Sequence, residues 1–200
     1  MAARSLPFLV SAADAPGKQR ILLGALRLFA QQGLAGTSIR EIGMLARTTN
    51  PALYKHFATK DALALHLFVV CYRELSQRLA AAVDAQEGFA RRLAAFIDSF
   101  IAYHDEIPEA VQYISEHTQR FWPQVPPALA RRSMTLQAQA LIAQGRLEGA
   151  VGGGLAVPVQ VLGVVGQLFQ LARMIAHGLL EGPGARWQAD LQRQIEQTLR

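Results

Sequence analysis

The sequence predicts an all-α protein: a three-helix helix-turn-helix head followed by a helical-bundle body. Three observations carry that expectation. The 200 residues are half hydrophobic and rich in Ala and Leu, with few of the alternating β-branched runs that strands need. Apolar residues recur at helical spacing through successive segments, and Gly and Pro mark the breaks between them. One stretch, Thr37 to Phe57, reads as two short helices joined by a tight turn.

The elements follow in order. Residues 1–15 hold Pro7 and run into Pro16-Gly17, so they read as a flexible arm without the basic, then long apolar, pattern of a signal peptide. A first helix is expected from Pro16 to Gln32, burying Ile21, Leu22, Ala25, Leu28 and Phe29, with Gly33 as its C-terminal cap. Thr37 or Ser38 caps the next, whose apolar stripe is Ile39, Ile42, Leu45 and Ala46. Thr48-Thr49-Asn50-Pro51 breaks that stripe with cap formers and a first-turn proline, and Leu53 and Phe57 restart it. Thr59 caps a long fourth helix, Lys60 to about Asp84, with Leu63, Leu67, Val70, Cys71, Leu75 and Leu79 on its buried side. Gln86-Glu87-Gly88 is a boundary. Helices are then expected over 89–106, 109–120 and 126–144, with a loop at 145–157. Residues 158–180 and 186–199 close the chain on either side of Gly182-Pro183-Gly184.

The 158–180 segment imitates a membrane span, since Ala150 to Ala172 carries no charge. Gly152-Gly153-Gly154 and Pro158 break its first third. Beyond them Gln160, Gly163, Gly166, Gln167, Gln170, Arg173 and His177 fall within one arc of a helical wheel. That is the pattern of a water-soluble amphipathic helix rather than of a bilayer span. Its remaining arc of Val, Leu, Ile, Phe and Met is too broad for one neighbour and calls for a partner face.

Charge is distributed unevenly. Residues 16–62 hold Lys18, Arg20, Arg27, Arg40, Arg47, Lys55 and Lys60 against Glu41 and Asp61, so this segment alone accounts for the chain's net +5. A basic patch confined to one module is the footprint of a polyanion-binding surface. The second helix of the motif exposes Asn50, Ala52, Tyr54, Lys55 and His56 with no acid among them, a composition suited to the major groove of DNA. Arg4 in the leader is a further candidate contact. One cysteine, Cys71, forbids an intrachain disulfide and agrees with a reducing cytoplasm.

A family resemblance enters at these residues. Leu53-Tyr54-Lys55-His56-Phe57-Ala58-Thr59-Lys60-Asp61-Ala62-Leu63 resembles the LYxHFxxKxxL signature of the TetR family of bacterial transcriptional repressors. Gly33-x-x-Gly36-Thr37-Ser38-Ile39-Arg40-Glu41-Ile42 resembles the same family's lead-in, so the likeness runs over roughly residues 18 to 65. The chain departs from it in the turn, where Arg47-Thr48 replaces the usual Gly-Val; a positive φ there is costly for Arg.

The resemblance implies a division into a flexible arm (1–15), a DNA-binding domain (16–62) and an effector-binding and dimerisation domain (63–200). It also implies a homodimer formed through helices at about 158–180 and 185–199. Two recognition helices roughly 34 Å apart would then read the halves of a near-palindromic operator in double-stranded DNA. The DNA-binding candidates are Thr37, Arg40, Thr49, Asn50, Pro51, Ala52, Tyr54, Lys55, His56 and Lys60. Thr37, Thr49, Tyr54, Lys55 and Lys60 carry hydroxyl or ammonium donors suited to phosphate, although Thr37 and Thr49 are helix caps with or without DNA. Asn50 suits adenine, Ala52 a thymine methyl, and Arg40, by resemblance, lies where family members reach a guanine edge.

The same resemblance implies a pocket in the body for a small hydrophobic or aromatic effector. Its candidates are His66, Tyr72, Phe100, Tyr103, His104, Tyr113, His117, Trp122, Gln137 and Phe169, with Cys71, Phe121 and Met134 beside them. Enzyme readings find no support: there is no Gly-x-Ser-x-Gly elbow, Walker loop, His-Glu-x-x-His pair or zinc-spaced Cys/His cluster. No cofactor and no metal are implied. The expectation is a cytoplasmic, ligand-responsive repressor. The alternative is an activator on the same fold, or a ligand-binding helical dimer with degenerate DNA binding.

Overall fold

The structure, a computed structural model, describes residues 6–9, 14 and 16–200. Most of the leader, with Arg4, lies outside the described residues; within it Leu6 and Leu9 are buried about a short 3-10 turn, Pro7–Leu9. Among the described residues the regular structure is helical throughout: α1 Pro16–Gly36, α2 Ile39–Leu45, α3 Asn50–His56, α4 Lys60–Asp84 and α5 Phe89–Glu106. There follow α6 Pro108–Phe121, α7 Pro127–Ala130, α8 Met134–Leu147, α9 Val157–Ala176 and α10 Gln188–Leu199. Two compact units result. One comprises residues up to Glu74 with Tyr113–Val125, the other Leu75–Gln112 with Pro126–Arg200, so α4 and α6 each contribute to both.

The first unit is built on the stripes the sequence carries. Ile21, Leu22, Ala25 and Phe29 of α1 are buried, as are Ile42 and Ala46 of α2, Leu53 and Phe57 around α3, and Leu63, Leu67 and Cys71 of α4. Each aliphatic or aromatic side chain removed from water in this way contributes roughly 1.5–3 kcal/mol. Tyr113 stacks on Phe29 with ring centroids 5.7 Å apart, and its buried hydroxyl donates to the Ala64 carbonyl at 2.9 Å. Leu45 departs from the expected stripe: it is 48% exposed, lying over Gly24 of α1 at the margin of the core.

In the second unit α5 supplies the longest buried stripe, from Phe89 through Leu93, Phe96, Ile97, Phe100 and Ile101. Gly88 at its start has a positive φ of 76° and no side chain to cap with, so Glu148 at the end of α8 does so, accepting from the Phe89 N–H at 2.8 Å. At the far end of α5 the Asp105 carboxylate accepts from the Gly184 and Ala185 N–H groups at 2.6 and 2.9 Å. The Gly152 N–H donates to the Leu199 carbonyl at 2.7 Å, fastening the α8–α9 loop to the end of α10.

Two boundaries and one helix face differ from expectation. The helix expected over 126–144 is divided: α7 ends at Ala130, and Ser133 caps α8 by accepting from the Leu136 N–H. The freed Arg132 carbonyl accepts from the Ser76 hydroxyl and from Gln137 Nε2, which makes the break a junction with α4. α9 stops at Ala176 rather than near Leu180, because Gly178 takes φ 69° and the Leu179 N–H turns back to the Met174 carbonyl, a left-handed Gly stop. Gln160, expected on a solvent arc, is buried; its amide donates to the Gly152 carbonyl at 3.1 Å and accepts from Arg146 at 2.8 Å. Val159 and Leu162 face outward instead, at 49% and 70% exposure.

A β-carbon on Gly145 would lie 2.5 Å from the Phe89 ring and 2.6 Å from Val151. Gly145→Ala therefore overpacks the α5–α8 contact and lowers unfolding free energy by about 1–3 kcal/mol, read as a drop in the urea midpoint. An unchanged midpoint would mean that this contact is loose.

Candidate nucleic-acid interface

The head begins with a choice between two caps, and the structure makes it. Ser38 is the N-cap of α2: its hydroxyl accepts from the Glu41 N–H at 3.2 Å, and the Glu41 carboxylate accepts from the Ser38 N–H at 2.7 Å. This reciprocal capping box holds the Glu41 carboxyl below the usual carboxylate range, through the Ser38 hydroxyl first and its amide second. Thr37 does something else. It is 2% exposed, and its hydroxyl donates to the Gly33 carbonyl at 2.9 Å, closing the corner where Gly33 leaves helical geometry with φ 71°. In this structure the Thr37 hydroxyl is committed within the head, where it supports the corner.

The turn between α2 and α3 is a Schellman stop. The Arg47 N–H donates to the Met44 carbonyl at 3.2 Å and the Thr48 N–H to the Gly43 carbonyl at 2.9 Å, with Arg47 in the left-handed region at φ 52°. That conformation costs a residue other than Gly roughly 1–2 kcal/mol. Arg20 of α1 closes the turn from behind, its Nε donating to the Ala46 carbonyl at 3.2 Å. The helices cross closely: a β-carbon on Gly43 would come within 3.1 Å of the Asn50 amide oxygen and 3.3 Å of the Thr48 carbonyl. Residue 43 must be small for α3 to sit where it does.

Thr49 caps α3, accepting from the Ala52 N–H at 3.3 Å, and Pro51 in the first turn gives up no helical bond. Leu53 and Phe57 point inward, which leaves Asn50, Pro51, Tyr54, Lys55 and His56 exposed and Ala52 half-buried on the opposite side. Tyr54 is 50% exposed. Arg40 of α2 is exposed as well. Both acids of the head are engaged, Glu41 in its capping box and Asp61 with Arg120 at 3.0 Å. Among the described residues Arg40, Arg47 and Lys55 form no ion pair. The result is an acid-free surface carrying unneutralised cations, amide and hydroxyl groups.

Lys60 stands apart from the exposed face. Its ammonium donates to the Leu34 and Thr37 carbonyls, each at 2.8 Å, and so ties the start of α4 to the α1–α2 corner. Two of its three N–H donors are committed there, so Lys60 braces that corner. The long separation along the chain hid this from the sequence. So it did for Arg20, whereas the non-glycine in the turn was a visible signal for Arg47.

The effector candidates divide between the two units. In the first, His117 sits edge-on to Tyr113 with centroids 4.6 Å apart and lies 5.9 Å from Phe121; Phe68 links Phe121 to Tyr72, which meets Trp122 at 5.2 Å. His117 Nε2 is buried without a hydrogen-bond partner among the described residues, and burial lowers the ring's pKa. His66 packs on Phe57 rather than on this cluster. In the second unit Phe100 meets Phe169 edge-on at 5.3 Å. Tyr103 lies under the Arg78 guanidinium, His104 contacts Asp105 at 3.0 Å, and Gln137 is committed to Ser76 and Arg132. A separate open groove of about 290 Å³ runs between α9 and α10, where Gln167, Gln170, Met174 and Trp187 line it and none of the ten candidates does.

Two outcomes follow for the head. Ser38→Ala removes the cap and lowers stability by about 1 kcal/mol. Because the folded pKa of Glu41 lies below its unfolded value, the capping contribution is present above the ordinary carboxylate range and is lost as pH falls through the folded value. In the variant the Glu41 titration, followed by carboxyl NMR, moves up toward its ordinary value; an unmoved titration would remove the box as its cause. Lys60→Met leaves two carbonyls short of a charged donor and costs roughly 1–3 kcal/mol, so its thermal midpoint falls whether or not DNA is present.

Comparisons with known proteins agree with this geometry. Residues 21–67 match the family of bacterial regulatory proteins, tetR family. Over 46 residues the chain is 50% identical to the HTH-type transcriptional regulator AcrR of Shigella flexneri, a match covering 23% of this chain and 21% of that one. The curated relatives are thus matched over about a fifth of their length. The whole chain is similar in fold to the ketosteroid transcriptional regulator KstR2 of Mycobacterium tuberculosis, with a TM-score of 0.74 at 20% identity, covering 92% of this chain and 97% of that one. It is similar also to the transcriptional regulator FadR of Bacillus subtilis, solved in complex with stearoyl-CoA, with a TM-score of 0.70 at 13% identity over 90% and 98% of the two chains. Residues 21–67 thus match the tetR family of bacterial regulatory proteins, and over 92% of its length the chain has the fold of solved transcriptional regulators.

Proposed function

We propose that the protein is a homodimeric, sequence-specific DNA-binding regulator, acting in the cytoplasm as a repressor that a small apolar or aromatic ligand releases from its operator. The carrying observation is the exposed, acid-free face of α3, set behind a capped turn with both neighbouring carboxylates already engaged. In the major groove Asn50 pairs with adenine, Arg40 reaches a guanine edge and Ala52 meets a thymine methyl. Thr49, Tyr54, Lys55 and His56 hold the backbone and set register. Thr37 and Lys60 support these contacts from within the head.

The second copy docks on α9 and α10. α9 is long and apolar enough to cross a membrane by composition, yet 28% of its most apolar eighteen-residue stretch is buried within one chain. Val159, Leu162 and the small residue Gly166 lie on its outer side, and a second helix can approach closely there. Gln167 Oε1 beside the α9–α10 groove is buried without a donor among the described residues, and a partner chain supplies one. The aromatic residues Tyr113, Tyr72 and Trp122 and the unpartnered His117 Nε2 support an effector with an apolar body and one polar atom. Such a ligand releases DNA only by the difference in its affinity for the bound and released conformations.

Fluorescence anisotropy against the DNA upstream of the protein's own gene, with a scrambled duplex beside it, tests the reading. Tight, salt-sensitive binding to the first alone is expected; equal weak binding to both contradicts sequence-specific control of that promoter. Within a selected operator, Asn50→Ala relaxes one base position by about 1–3 kcal/mol, whereas Tyr54→Phe weakens all sequences alike. Uniform loss in Asn50→Ala would refute this sorting of contacts.

A further inference from the structure

We propose that Arg47 is a backbone-phosphate anchor, taking a DNA phosphate at the edge of the recognition helix with Arg20 beside it. The inference rests on the DNA-binding reading and adds a contact at the position where this chain departs from the glycine of the TetR pattern. Arg47 holds a left-handed φ of 52° that Gly would adopt without strain. The backbone bonds of the turn hold that conformation, but the side chain adds nothing to offset it: it is exposed and has no hydrogen-bond or ion-pair partner among the described residues.

The turn also gathers like charge. Arg20 Nε donates to the carbonyl of Ala46, the residue immediately before Arg47, so a second guanidinium is bound at the same bend. The two carboxylates of residues 16–62 are engaged elsewhere, Glu41 on Ser38 and Asp61 on Arg120. The strained residue thus carries a guanidinium with no counter-charge among the described residues, and a phosphate supplies one. Guanidinium suits it, since its planar fork meets two phosphate oxygens at once. Arg47 lies three residues before Asn50, so a phosphate bound here fixes how far α3 enters the groove without reading sequence.

The test is Arg47→Gly beside Arg47→Lys, each titrated at several salt concentrations against a mixed-sequence duplex and against an operator selected from random DNA. Arg47→Gly is expected to melt at a higher temperature and yet bind both duplexes more weakly by the same factor. Its salt slope is smaller by about 0.9 per head, so its deficit shrinks about 3.5-fold per head between roughly 50 and 200 mM salt. Arg47→Lys keeps the charge and the strain, and so keeps both the salt slope and the melting temperature. Unchanged affinity and slope in Arg47→Gly, with the higher melting temperature, would reduce Arg47 to strain alone and overturn the proposal. A loss confined to the operator would make Arg47 a base reader, which also overturns it. Failure of the wild-type protein to bind either duplex at low salt would instead strike the DNA-binding reading itself.

Discussion

Everything the head can do depends on how closely α3 is brought against α2. The connection between them is a handful of residues, and it ends one helix, reverses direction and caps the next, with the N–H groups of Arg47, Thr48 and Ala52 each paired. Space at Gly43 and a left-handed residue at Arg47 are the two conditions of that geometry. The first is met at no cost beyond backbone entropy; the second is met against steric preference. Once the turn is made, Leu53 and Phe57 have only one side on which to be buried, and the polar residues of α3 are exposed as a consequence.

The support behind that surface is polar rather than apolar. Lys60, Arg20 and Thr37 each hold a backbone carbonyl that helix geometry leaves open, at Leu34 and Thr37, at Ala46 and at Gly33 respectively. Carbonyls at helix ends are costly to bury unpaired, so these side chains fix where the helices stop. The second unit uses the converse: the carboxylates of Glu148 and Asp105 accept from backbone N–H groups, at the start of α5 and in the turn before α10. α9 is the exception to this economy. It leaves Val159 and Leu162 in solvent while burying Gln160, an arrangement that makes sense for a helix with a second neighbour still to come.

Much of this was legible in the sequence, and the limits have a physical pattern. The stripes on α1 and α4 and the two-helix motif follow from local periodicity and cap formers, and the structure has them where periodicity put them. Helix boundaries made by a single residue were harder: Ser133 and Gly178 carry weak signals that apolar spacing outweighed, so α7 and α8 read as one helix and α9 read as too long. Side-chain roles set by distant partners were invisible. Lys60 looks like any exposed cation until the Leu34 carbonyl lies beside it, and Thr37 looks like a cap until Ser38 takes the position. Of the effector candidates, Tyr113 and His117 stand four apart and meet on one face of α6, but spacing had no means of joining Tyr72 and Trp122 to them.

The account stands or falls on two recognition helices entering one face of DNA together. Hydroxyl-radical footprinting on an operator selected from random sequence measures that directly. The account predicts two protected segments, centred about one helical turn or a whole multiple of it apart, flanking adjacent major grooves. A single protected segment, or protection without helical phasing, would contradict it.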